Sequence, residues 1–404
     1  MTHRIYYNDP ACSSFDAIVT RAFVHDGRPA AQLDRTAFYP TSGGQPYDTG
    51  RLGTADVLET VDLENGEIAH VLSTPLDEGE RVHGQIAWGR RFDHMQQHTG
   101  QHLLSAAFDR LFENRTMSFH MGAESSTIDL GDEASADAIG RAELEANRVV
   151  WEDRPVSIRF VSAEEAATLP LRKEPAREGT LRLIDVEGFD LSACDGTHVA
   201  RTGAIGIIAV TGWERFRGGT RVSFVCGGRA LRTFRTLREA VTASIRSLSV
   251  LPEELPAAIE RMQSESKELR RTVKTFQEAL ASHEGARLLG TAPITAGVRV
   301  LVHALEGWDA AGLKAVASAA TAGDRVVAAL ISTASPVVAV VARSKSAPVD
   351  AQAVLNELVR QFGGRGGGKP DLAQGGGLTG TPEQIVAAAR AAIETQLGHE
   401  GTKK

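Results

Sequence analysis

Met95-Gln-Gln-His98-Thr-Gly-Gln-His102-Leu-Leu-Ser-Ala-Ala-Phe108 is the stretch from which the rest of the chain can be read. Its composition and the apolar positions Leu103, Leu104, Ala107, Phe108 and Leu111 predict a helix. His98 and His102, four positions apart, then project from one face a turn apart. Far downstream, Cys194-Asp-Gly-Thr-His198 repeats the four-residue spacing after the apolar run Leu181–Ile184, which predicts a strand-to-loop connection. Three imidazoles and one thiolate are a donor set that tetrahedral zinc accepts, so the two segments read as one Zn2+ site with ligands His98, His102, Cys194 and His198. Either pair alone also marks surface or core histidines, and it is their co-occurrence that argues for a metal. His94, one turn earlier on the same face, is an alternative ligand or a neighbour of the ligands; we place it among the neighbours.

The chain has 404 residues and 42% hydrophobic content, enough for two or three cores. It shows no run of eighteen apolar residues and no basic-then-apolar leader, so the expectation is a cytoplasmic protein without a membrane partner. Cys12, Cys194 and Cys226 have no framework spacing, which suits a reducing compartment in which Cys194 serves as a thiolate. The net charge of −7 argues against nucleic acid, but the local distribution reverses this. Between Trp213 and Arg246 stand eight arginines against Glu214 and Glu239, and Arg229, Arg232, Arg235 and Arg238 are spaced by three along a predicted helix. Such a run is either a solvated helix face or a surface for a phosphate backbone.

Several phrases together resemble a known family. His98-Thr-Gly-Gln-His-Leu-Leu104 and Cys194-Asp-Gly-Thr-His-Val-Ala-Arg-Thr-Gly203 are similar to the two zinc motifs of the alanyl-tRNA synthetase editing domain and its free-standing AlaX relatives. Arg35-Thr-Ala-Phe-Tyr-Pro-Thr-Ser-Gly-Gly-Gln-Pro-Tyr-Asp48 resembles the glycine-rich motif of the β-barrel that precedes that domain, and Trp88-Gly-Arg-Arg91 its junction with the zinc helix. Gly363-Gly-Arg-Gly-Gly-Gly-Lys-Pro-Asp-Leu-Ala-Gln-Gly-Gly-Gly377 looks like the signature of the synthetase's C-terminal domain. The stretch ahead of the zinc motif is too short for an aminoacylation domain plus a tRNA-recognition domain, so the resemblance implies the long AlaX form, the editing half alone.

The resemblance implies a trans-editing hydrolase that deacylates mischarged Ser-tRNA(Ala) and Gly-tRNA(Ala), with Zn2+ as cofactor and dimerisation through the C-terminal domain. An alanine site discriminates poorly against serine and glycine, by on the order of 1–3 kcal/mol, which a second hydrolytic site remedies. Thr36 is expected to pair with the seryl hydroxyl, and Gln45 to position water or substrate. The family's editing glutamine aligns with Phe119 in Thr116-Met-Ser-Phe-His-Met121, so Ser118 or His120 is expected to supply a polar group near the ion. Arg232, Arg235, Arg238, Arg365 and Lys369 are the expected tRNA contacts. Four protein ligands would close a tetrahedral ion, so the alternative is a zinc-stabilised tRNA-binding module without hydrolysis. A phosphoesterase is not supported, for no aspartate–histidine cluster for two metals is present.

The expected fold is α+β. Short apolar stretches between Gly, Pro and Asp turns predict a small β-barrel over 1–90 that carries the glycine-rich motif. Residues 91–228 read as the zinc-dependent α+β editing domain. Residues 229–285 read as a helical, coiled-coil-like hairpin: Leu255, Ile259, Met262, Ser266, Leu269, Val273, Phe276 and Leu280 alternate steps of four and three, and simple core helices are the competing reading. Residues 286–404 read as an α/β domain for tRNA binding and dimerisation, with buried strands at Val298–Val302, Arg325–Ile331 and Val337–Val341. The glycine-rich run Gly363–Gly377 reads as backbone exposed to phosphates, beside Arg365 and Lys369.

Overall fold

Along Ser14–His25, Phe15, Ala17 and Val19 are buried while their immediate neighbours are exposed, the period-two pattern of a strand with one face in a core. The computed structural model describes residues 1–63, 66–172 and 179–400, in two compact units, Met1–Ser244 and Ile245–Lys404. The first unit opens with β1 (His3–Arg4), β2 (Ser14–His25), β3 (Arg28–Leu33), β4 (Arg35–Thr36), β5 (Gly50–Leu52), β6 (Ala55–Asp62), β7 (Ile68–Leu72) and β8 (Arg81–Ile86). Six of these close into a barrel in the order β2-β3-β7-β6-β5-β8, and β1 pairs in parallel with β4. Phe15, Val19, Leu33, Phe38, Leu52, Val57, Leu72, Val82 and Ile86 fill the barrel core.

Then follow α1 (Trp88–Phe112), β9 (Thr116–Met121), β10 (Ser126–Leu130), α2 (Ala136–Trp151), β11 (Val156–Val161), α3 (Ala163–Ala166), β12 (Leu181–Val186), β13 (Asp190–Ala193), β14 (Ile208–Phe216) and β15 (Gly219–Cys226). The strands form one sheet in the order β14-β15-β10-β9 and a second in the order β11-β12-β13. α1 is buried from His94 to Phe108 on every side, although only part of that stretch is apolar. Its buried amides are spent on backbone: Gln97 donates to Cys226 O (3.1 Å) and accepts from Cys226 N (2.8 Å), and Gln96 donates to Ala204 O (2.9 Å). Leu103, Leu104, Ala107 and Phe108 pack with Ala142, Ala146 and Val149 of α2 and with Ile128, Val222 and Phe224 of the sheet. Ser135 caps α2, accepting from Ala138 N at 3.2 Å.

α4 (Gly227–Leu248) carries the basic run and crosses the boundary between the units; α5 (Leu255–Thr291) lies wholly in the second. The apolar stripe expected to be buried within a hairpin is exposed on each helix: Phe234 and Leu237 on α4, and Leu269, Val273, Phe276 and Leu280 on α5. The end of α5 differs, burying Ala281 and Leu288 in a core with α6 (Ala310–Ala320).

The remaining elements are β16 (Ile294–Thr295), β17 (Val298–Leu305), β18 (Val326–Ser332), β19 (Val337–Arg343), α7 (Ala351–Phe362), β20 (Arg365–Lys369), β21 (Leu372–Leu378) and α8 (Pro382–Glu400). Their sheet runs β16-β17-β18-β19-β21-β20. Val300 and Val302 face a core with α7 and α8, while Leu301 and Leu330 face α5 and α6, so the strands read as continuous apolar runs because both faces are covered. The parallel arrangement implied by an α/β reading holds only for β17 and β18, which the α6 crossover joins; the other pairs are antiparallel. The glycine-rich run, expected as backbone exposed to phosphates, is mostly the hairpin β20–β21, whose edge strand β20 is exposed. A Cβ at Gly368 would sit 2.4 Å from Ala373 Cα, so the glycines there serve close strand approach. No helix among the described residues is long and apolar enough to cross a membrane.

Candidate metal centre

α1 carries His98 and His102, and the loop after β13 carries Cys194 and His198; their ligand atoms all lie within 4.8 Å of one another. Cys194 Sγ is 3.4 Å from Nε2 of both His98 and His198. Zinc bonds of about 2.0–2.3 Å place tetrahedral donors roughly 3.3–3.7 Å apart, so these contacts have the spacing of donors around one ion. The loop approaches α1 so closely that a Cβ at Gly196 would lie 2.1 Å from His98 Cε1, which explains glycine between Cys194 and His198.

Each imidazole turns Nε2 inward because its Nδ1 is held from behind, and by a different group each time. His98 Nδ1 meets Gln45 Oε1 at 2.9 Å, His102 Nδ1 meets Asp190 Oδ2 at 2.8 Å, and His198 Nδ1 meets Thr99 Oγ1 at 3.2 Å. Asp190 is itself fixed by Arg172 Nε at 2.6 Å and by Ser192. Thr99 also accepts from Val199 N (3.1 Å), and Arg182 Nη1 donates to the carbonyls of Cys194 (2.6 Å) and Gly196 (2.9 Å). Outer groups of this kind fix the tautomer in which Nε2 carries the lone pair toward the metal.

Electrostatics suit a cation. Burial opposes ionisation of Cys194, yet its electrostatic interactions with His98 and His198 and hydrogen bonds from His102 and His198 hold its thiol well below the usual range. Burial likewise opposes a charged His102, but Asp190 and Cys194 together outweigh it and raise the imidazole to about 9. Burial dominates at His198, pushed down to about 3. A thiolate and three imidazoles in an enclosed cluster form the donor chemistry of a structural or catalytic zinc site, and the residues fit that ion.

Of the other expected site residues, Gln45 alone joins this group. Its amide is committed to the loop: Oε1 accepts from Thr197 N (3.0 Å) and Nε2 donates to Thr197 Oγ1 (2.8 Å). Thr36, expected to meet a seryl hydroxyl, is fully enclosed. Its Oγ1 accepts from Phe38 N (3.1 Å) and stands 2.8 Å from His70 Nε2; His70 Nδ1 is bonded to Ala31 O, so Nε2 is the acceptor and Thr36 the donor. Ser118 and His120 do not join the four clustered side chains. Phe119, between them on β9, stacks on His98 with centroids 5.4 Å apart, and strand alternation sends its neighbours to the other face, where Ser118 bonds Asp129. His94 lies outside the four-residue group, one turn before His98. Arg232, Arg235 and Arg238 are exposed on α4, and Arg365 and Lys369 on the edge strand β20.

Asp190, Thr99, Thr197 and Arg182 were not anticipated. Thr99 and Thr197 lie inside the quoted motifs, where a hydroxyl beside a ligand was the available signal; nothing in the spacing pointed to Asp190 or Arg182. A buried clamp also escaped notice: Arg91 on α1 bonds Asp48 and the carbonyls of Pro10 and Ala37, and Asp48 accepts from Tyr39 N at 2.7 Å. The glycine-rich segment is therefore tied to α1 at Arg91 and again at His98.

Residues 181–222 match the model of the threonyl and alanyl tRNA synthetase second additional domain, and residues 297–397 that of the DHHA1 domain. The chain is 37% identical to an alanine–tRNA ligase of Methanoculleus marisnigri over 93% of its own length but only 41% of that protein. Against the solved C-Ala domain of Aquifex aeolicus alanyl-tRNA synthetase it is 24% identical, covering 27% of this chain and 99% of that one with a TM-score of 0.25. Alanyl-tRNA editing protein AlaX-L of Pyrococcus horikoshii is 31% identical over 98% of this chain and 100% of its own. Likeness over 98% of this chain and the whole of that protein places this chain in the AlaX-L family of alanyl-tRNA editing proteins.

Proposed function

We propose that the protein is an aminoacyl-tRNA deacylase that acts in trans, removing serine, and also glycine, from mischarged tRNA(Ala). The observation that carries this reading is the inward-facing set of His98, His102, Cys194 and His198, each imidazole held by a separate outer partner. A zinc ion held there supplies Lewis acidity toward a carbonyl or a bound water. The chain's own residues do the rest: Gln45, Asp190 and Thr99 orient the imidazoles, and Arg182 and Gly196 fix the loop. The scissile ester is already activated, so little acid catalysis of the leaving ribose oxygen is needed. The exposed arginines of α4, with Arg365 and Lys369, are the proposed contacts to the tRNA backbone.

The test is incubation of the full chain with seryl-, glycyl- and alanyl-tRNA(Ala), before and after metal removal, alongside Cys194→Ala. Metal-dependent release of serine and glycine with alanine spared is the expected result. A second reading is favoured by the four protein donors, which fill a tetrahedral ion: a zinc-stabilised tRNA-binding module. In that case tRNA would bind while all three esters outlast the assay, which sinks the hydrolase reading.

A further inference from the structure

Arg91, His94, His98 and His102 form one column on α1, at helical spacings of three, four and four. Arg91 bonds Asp48 and the Ala37 carbonyl, and His98 meets Gln45, so His94 lies between two anchors of the same glycine-rich segment. His94 is 3% exposed, and among the described residues its Nδ1 has no hydrogen-bond partner. The contrast with its neighbours is plain, for Nδ1 of His98, His102, His198 and His70 is bonded in every case. A buried polar nitrogen left unmatched opposes folding, so its retention points to a partner that arrives from outside.

The surroundings say what kind of partner. Burial pushes His94 down to about 4, and Arg90, Arg229 and Arg91 push the same way against Asp93, so the ring is neutral, with one N–H and one lone pair. Those guanidiniums have hydrogen bonds of their own, to Tyr47 O, Asp93 and Asp48, but their field remains and favours an electron-rich oxygen over an ammonium group. We propose that His94 is a substrate-contact residue whose Nδ1–H donates to an oxygen beside the scissile bond, the acyl carbonyl or the neighbouring ribose hydroxyl of the aminoacylated tRNA end. No proton is transferred; the imidazole acts as a fixed dipole. This inference rests on the deacylase reading above.

Two variants of the full-length, zinc-loaded protein test it: His94→Phe, which keeps a ring and removes both nitrogens, and His94→Asn, whose amide nitrogen stands where Nδ1 stood. The measurements are zinc content, Tm, kcat/KM on seryl-tRNA(Ala), and Kd for a seryl-tRNA(Ala) analogue whose ester is replaced by an amide, which keeps both candidate oxygens. His94→Phe should keep its zinc and an equal or higher Tm, while kcat/KM and analogue affinity fall about tenfold or more, and His94→Asn should recover most of the loss. A lower Tm or lost zinc in His94→Phe would show a structural histidine and overturn the proposal, as would binding and turnover within about twofold of the parent. If the parent binds the analogue without cleaving the ester, the hydrolase reading fails while the Kd comparison still decides His94. If the parent neither binds nor cleaves, both fall together.

Discussion

A single carboxylate has a larger part in the metal centre than its distance in sequence suggests. Asp190 sits behind His102 and is held by Arg172 and Ser192, so Asp190→Asn keeps the shape but weakens the pull on the imidazole. Zinc affinity, measured against a chromophoric chelator, should fall roughly 10–100-fold; an unchanged affinity would mean that the loop alone orients His102. Another buried imidazole governs acid stability. His70 is held at about 4 by burial, below its usual 6.5, so the unfolded chain takes up its proton first as pH falls. The stability it contributes is whole above about pH 6.5 and declines toward pH 4 by up to about 3 kcal/mol, a slope that His70→Gln should flatten in urea unfolding at a series of pH values. The pairing of His98 with His102 on one face was legible because four-residue spacing on a helix is itself geometry. Asp190, Arg182 and the burial of Thr36 were not, because each depends on which strand lies behind which, and periodicity does not carry that.

At the scale of elements, the loop between Cys194 and His198 works only because it passes close to α1. Gly196→Ala would press a methyl into His98, so zinc content and the thermal transition should both drop, whereas Gly140→Ala, on α2 with nothing within 4 Å of its Cβ position, should leave zinc content unchanged and raise the transition slightly. Equal behaviour of the two variants would refute the close approach. The zinc-motif helix and the buried strands were readable from composition and apolar spacing: α1 spans the anticipated His98–Leu111, and β17, β18 and β19 overlap the anticipated apolar runs. What misled was chemistry read without packing. The glycine-rich run gave no sign of strand pairing, yet most of it is paired, and the α5 stripe suggested burial, yet Leu269 and Phe276 lie exposed. A glycine run and a heptad seam each state what an element permits, and the neighbour it finds decides which is realised.

At the scale of the molecule, every metal ligand and every outer partner described here lies in Met1–Ser244, while Arg365 and Lys369 lie in Ile245–Lys404. A chain ending at Ser244 should therefore bind zinc as the parent does and keep kcat under saturating tRNA, while KM rises and the dependence of binding on salt becomes shallower as phosphate contacts are lost. An unchanged KM and salt slope would show that the second unit is no anchor for tRNA. Within the first unit, the amide of Gln45 belongs to the barrel's glycine-rich segment and yet touches both a ligand and the loop between two others. Metal occupancy and the order of that segment are thus one coupled equilibrium. A metal bound at His98 would favour the ordered segment by the same factor by which the ordered segment favours the metal.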